Sequence, residues 1–239
     1  MEEFTNEDFI EFITSFHKFH DEISEISKNT RGQSLIDNDF KMYSLDDMCW
    51  DCKLLEDNTP KTTDALFYKL NDDNLILYLV EFKFHNLNNP NCRDLFRAIV
   101  DDIYDSSNKQ YKCLSDKFKF QLNKIKRYYA DDIEYSLILK PIESINIVIP
   151  ALYEEYCQIN SIEKKDIRSF LNNVEKRVFV FVSDYSPKGK RNIQRHRLEP
   201  MASGLNSHFQ RLINGKIIDY HKIYSRDNWE YFLEYEELI

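Results

Sequence analysis

Asp64, Glu81 and Lys83 are the residues whose types and spacing best suit chemistry. They bound the stretch DALFYKLNDDNLILYLVEFK, which reads as a β-hairpin. Asp64 to Leu70 and Leu75 to Phe84 are rich in Leu, Ile, Val, Phe and Tyr, and Asn71-Asp72-Asp73-Asn74 supplies the turn. Whether the turn uses two or four of those residues, Leu70 pairs with Leu75 and Asp64 stands opposite Glu81. Opposed Cβ atoms lie ~4.5–5.5 Å apart, so both carboxylates can hold one cation. Phosphodiester hydrolysis uses such a cation to polarise phosphate and generate hydroxide, and Mg²⁺ prefers one or two carboxylates plus waters and phosphate oxygens. Lys83, ~6.6 Å further along the same face, could orient or deprotonate the attacking water, or hold charge developing on phosphate.

Alternation puts Leu75, Leu77, Leu79, Glu81 and Lys83 on one face of the second strand, and Ile76, Tyr78, Val80, Phe82 and Phe84 on the other. A strand apolar on both faces is central in its sheet, so the charges should sit at the mouth of a buried layer. The plainer reading makes the same three residues a surface ion pair at a sheet edge.

An Asp near the start of one strand followed by Glu-X-Lys on the next resembles the PD-(D/E)XK nuclease superfamily. Here the motif is Asp64, then Glu81-Phe82-Lys83, with Pro60 four residues ahead of Asp64 where the family places its proline closer. The resemblance covers the hairpin and the order of elements around it. It implies a restriction-endonuclease-like core, a Mg²⁺ or Mn²⁺ ion held by Asp64, Glu81 and the backbone carbonyl of Phe82, and hydrolysis of nucleic acid, DNA before RNA. Many members add a glutamate from the helix before the hairpin. Glu22 is the candidate for that place, with Glu25 and Glu11 as neighbours.

A chain of 239 residues suits one nuclease-like domain, with a core to about residue 183 and then a basic loop and helical extension over 184–239. Hydrophobic residues at 42% and charged residues at 31% are ordinary for a globular chain. A net charge of −9 disfavours a general nucleic-acid coat protein, so contact with a phosphate backbone must be a patch. No run reads as a membrane span, the start MEEFTNEDF is acidic, and five cysteines suit a reducing compartment, which together point to a cytoplasmic protein with no membrane partner.

The pattern predicts a helix from Asn6 to Ser27 with Thr5 and Asp8 as a capping box. A strand follows within Lys41 to Leu55, then the hairpin, a helix over Asn91–Asp105 and a basic helix reaching Tyr129. Strands are expected at Tyr135–Leu139, Ile145–Ile149 and Arg177–Ser183, and helices at Ala151–Gln158, Glu163–Asn172, Met201–Asn214 and after Ser225. The class is α/β, a central mixed sheet flanked by helices.

Lys188, Lys190, Arg191, Arg195 and Arg197 form the densest basic run and are the candidate nucleic-acid contacts. Cys49-Trp50-Asp51-Cys52 and His17-Lys18-Phe19-His20 have metal-ligand spacing, but CxxC alone is a weak signal and zinc is not expected. No phosphate-binding Gly-rich loop is present, so any motor is another subunit. The alternative to a nuclease is a non-catalytic nucleic-acid-binding or protein-interaction module of a defence or DNA-processing complex. A homodimer and a partner subunit both stay open.

Overall fold

The computed structural model describes residues 3–52, 60–83, 136–182 and 206–239. Its centre is the hairpin, β3 (Ala65–Asn71) and β4 (Asn74–Lys83), in which Leu70 pairs with Leu75 and Ala65 with Val80. Asp72 turns the chain with a positive φ of 52°, which aspartate tolerates.

Six strands form one sheet in chain order: β1 (His20–Glu22), β2 (Lys41–Ser44), β3, β4, β5 (Glu175–Val182) and β6 (Tyr220–Ser225). β1 to β4 pair antiparallel, whereas β4–β5 and β5–β6 pair parallel. The sheet is mixed, helices flank it, and the fold is α/β. β4 is interior, as a strand apolar on both faces demands.

The helices are α1 (Asn6–Thr14), α2 (Ile23–Ile26), α3 (Leu45–Asp51), α4 (Ser136–Asn160), α5 (Ile167–Asn173), α6 (206–214) and α7 (Trp229–Tyr235). On one face of the sheet, Leu75, Leu77, Leu79, Val178 and Val180 pack under Phe9, Phe12 and Ile13 of α1 and under Ile145, Val148, Ile149 and Leu152 of α4. On the other, Ile76, Tyr78, Val80, Phe82, Phe179 and Phe181 meet Ile23 of α2 and Trp229, Phe232 and Leu233 of α7. Each such side chain removed from water contributes roughly 1.5–3 kcal/mol, so a core on each face holds the sheet in place.

Three stretches depart from the sequence expectation. The Thr5–Asp8 capping box forms, but α1 stops at Thr14 rather than at Ser27. Thr14 Oγ1 bonds back to the Ile10 carbonyl at 2.7 Å and Ser15 Oγ to that of Phe12 at 2.6 Å, local bonds that compete with the helix ladder. A 3₁₀ turn (His17–Phe19) then carries the chain round the sheet edge through β1, and Ile23 is buried in the opposite core from Phe12. No single straight helix could serve both.

The expected strands at 135–139 and 145–149 are instead the first half of α4, a helix of 25 residues. It is long and apolar enough to cross a membrane by length and composition alone, and half of that apolar window is buried inside the fold. A five-residue π turn, Ser144–Val148, interrupts it just ahead of Pro150. Proline offers no N–H and its ring clashes with the carbonyl four residues back, so a wider turn there relieves the conflict. β6 was not foreseen; it joins the sheet from the stretch expected to be a helical extension. The helices expected over 91–105 and up to 129 lie outside the described residues.

Candidate active site

β2 ends where α3 begins, with Ser44 as N-cap accepting from the Asp47 amide at 3.3 Å. The Leu45 amide donates to the Asp64 carbonyl at 3.1 Å, continuing the β2–β3 ladder one step past the last paired residues. Asp64 therefore sits immediately before β3, level with Glu81 by the Ala65–Val80 register. Its carboxylate Oδ2 accepts the Phe82 amide across the hairpin at 2.6 Å. In an extended strand the N–H and C=O of a residue leave on the same edge, so the Phe82 carbonyl opens on the Asp64 side of β4.

Glu81 shares its face with Leu77 and Leu79 and is 2% exposed. That is deeper than a surface ion pair at a sheet edge. Its carboxylate is met by two lysines. Lys83, on the same face of β4, reaches Glu81 Oε1. Lys140 comes from the first turns of α4, and its Nζ lies 2.7 Å from Glu81 Oε1, 2.9 Å from Glu81 Oε2 and 3.3 Å from Asp64 Oδ1. The two carboxylates converge on one cation, and here that cation is the Lys140 ammonium. The two bonds to Glu81, at 2.7 and 2.9 Å, have the length of the strong charge-assisted class.

α4 is held at this depth by the strap before β3. The Thr63 amide donates to Ser144 Oγ at 2.9 Å, with both residues fully buried, and the Lys61 amide donates to the Glu143 carboxylate.

Asp46, in the first turn of α3, is the third acid of the group. Its outer surface is open to solvent, while its carboxyl accepts from Thr62 Oγ1 and faces the pair. Partial burial of that carboxyl, then the Asp64 carboxylate, push it up to about 7, with Lys140 pulling the other way. Burial and the Asp64 charge likewise raise Glu81, against the pull of Lys83 and Lys140. Burial works against the Lys140 ammonium, but Glu81 and Asp64 outweigh it and hold the lysine charged.

A family model described as HamA matches residues 54–219, more than half of the chain. The chain belongs to the HamA family. The HamA match takes in Asp64, Glu81, Lys83 and Lys140 and leaves Asp46 outside it. No curated protein and no solved structure matches the chain.

Of the residues singled out in the sequence, Asp64, Glu81 and Lys83 are brought together. Glu22 lies exposed on the edge strand β1, opposite Lys41 and separated from β3 by β2. Glu25 pairs with Lys28, and Glu11 accepts from the Tyr156 hydroxyl at 3.2 Å. Lys188, Lys190, Arg191, Arg195 and Arg197 lie outside the described residues. Cys49 and Cys52 are buried at the end of α3, and burial pushes their thiols up to about 12 and about 11. His20 stacks on Tyr43 with ring centroids 4.5 Å apart. Among the described residues no three His, Cys, Asp or Glu side chains make a ready metal cage.

Lys140 and Asp46 escaped the sequence reading. The signal for Lys140 was a lone cation inside the apolar run SLILKPIESINIVIPAL, because a buried ammonium needs an anionic partner. Asp46 gave none, since acids in a first helical turn are commonplace.

Proposed function

We propose that this HamA chain is a metal-dependent nuclease that hydrolyses phosphodiester bonds in DNA. The convergence of the Asp64 and Glu81 carboxylates on one cation, with Lys83 on the same face, carries this reading. HamA domains are PD-(D/E)XK-like and occur in defence systems, and a mixed sheet with flanking helices suits a restriction-endonuclease-like core.

The donor set fits Mg²⁺ or Mn²⁺: hard oxygens from two acids, and a cation already accepted between them. Asp64, Glu81 and the Phe82 carbonyl would hold the ion, with Asp46 at the outer edge. A bound ion would supply a Lewis acid for the phosphate and lower the pKa of its water. Asp64 is oriented by the Phe82 amide, which leaves its other oxygen for the cation. Lys83 pairs with Glu81 and can hold negative charge developing on the phosphate. The leucine and valine floor under Glu81 excludes water from behind the site.

A non-catalytic module is the second reading, and one observation favours it. Lys140 already satisfies both carboxylates, so the cluster is complete without any ligand.

The deciding experiment incubates the purified chain with single- and double-stranded DNA in Mg²⁺ or Mn²⁺, beside Lys83→Ala and Asp64→Asn. Each variant is expected to fold and to lose at least ~100-fold in cleavage, the scale of one lost electrostatic contact. A Glu81→Gln protein cutting at the wild-type rate would sink the mechanism, and no cleavage by the wild type would move the binding-module reading to first place.

A further inference from the structure

We infer that Lys140 sets the cation affinity of this site by competing with a divalent metal for the Asp64–Glu81 pair. The inference rests on the proposed metal site and asks what governs its occupancy.

The Nζ of Lys140 contacts three of the four carboxylate oxygens of the pair, at 2.7, 2.9 and 3.3 Å. Asp64 Oδ2, the fourth, is spent on the Phe82 amide. An ion ligated by Glu81 and by the free oxygen of Asp64 needs the same oxygens at 2.0–2.1 Å for Mg²⁺. Two cations cannot share that space, so the ammonium must retreat before the metal enters.

The two lysines differ in this respect. Among the described residues Lys83 pairs with Glu81 alone, and it is about a quarter exposed, so it can swing outward along its own strand edge. Lys140 is 15% exposed and is carried by a helix fastened through Ser144 to Thr63 and through Glu143 to Lys61. Its withdrawal therefore costs either an unfavourable rotamer or a small shift of the start of α4 against the strap over residues 60–64. Lys140 is a positioning residue: it touches the metal's ligands and never the metal.

The test is calorimetric titration of Mn²⁺ into the full-length metal-free protein and its Lys140→Met variant, with thermal melts of each in and out of Mn²⁺. Lys140→Met is expected to bind Mn²⁺ at least tenfold more tightly, to melt lower without metal, and to gain more from Mn²⁺ than the wild type does. A purely structural lysine would lower the melting temperature without tightening Mn²⁺ binding. Equal or weaker binding by folded Lys140→Met overturns the inference, as does a lack of binding by both proteins. Should Lys140→Met fail to fold, Lys140→Arg keeps the charge and adds a bidentate grip; severalfold weaker Mn²⁺ binding supports competition, and unchanged binding overturns it. DNA cleavage measured on the same samples reports separately on the nuclease reading. Tightened Mn²⁺ binding without cleavage leaves this inference standing and removes catalysis.

Discussion

The Asp64 carboxylate accepts the amide of Phe82 at 2.6 Å, tying the acid before β3 to the residue between Glu81 and Lys83. That bond separates two functions of one side chain. Asp64→Asn keeps an acceptor for Phe82 and loses the charge, so it should fold with near-normal stability and lose divalent binding. Asp64→Ala leaves the amide without its partner and should cost about 1–3 kcal/mol in urea denaturation.

Glu81 is the buried anchor of the charge cluster. Removing it takes the carboxylate partner from Lys83 and leaves Lys140 with its 3.3 Å contact to Asp64, and breaking a buried pair costs roughly 3–5 kcal/mol. Glu81→Ala should fall in that range by equilibrium unfolding. The double variant Glu81→Gln/Lys140→Met should recover much of the loss, because it removes the more buried of the two ammonium groups. A double variant no more stable than Glu81→Ala would mean that packing, not charge, sets the cost.

Asp46 gives the metal-free protein a pH signature. Its carboxyl is raised from 3.8 to about 7, so the folded state holds a proton that the unfolded state has released. That contribution is fully present below about pH 4 and is lost as pH rises through about 7. The stability of Asp46→Asn relative to wild type should therefore grow across that window and level off above it. Unfolding midpoints at half-unit pH steps would show this, and a flat difference would place the Asp46 titration elsewhere.

Ser144 should report on the strap. Ser144→Ala removes the acceptor of the buried Thr63 amide, for an expected loss of about 1–3 kcal/mol. Hydrogen exchange should accelerate at Thr63 and at the start of α4 together; acceleration at only one of them would mean that the two segments move independently.

The hairpin, its register and its two faces were legible because strand alternation acts locally: Leu75, Leu77 and Leu79 could only share a core by facing one way. Trp229, Phe232 and Leu233 were legible for the same kind of reason at helical spacing. The β-branched run around Ile145 misled, since Ile and Val favour strands on their own while the partner surface here demanded a helix. β6 was hidden because its residues are only half-buried at an edge and leave a weak alternation. Lys140 stands 59 residues from Glu81, and a contact formed only when α4 lies across β4 leaves no local trace.

The closed charge cluster bears on how fast a polyanion could find this protein. Lys83 and Lys140 answer Glu81 and Asp64 at contact distance, so little field escapes to draw in or repel a distant phosphate chain, and beyond ~8–10 Å in physiological salt the remainder is screened. Electrostatic steering would then belong to charges elsewhere on a chain whose net charge is −9. The encounter rate should follow basic runs such as Lys188 to Arg197, and the residues proposed to meet the phosphate should have almost no say in it.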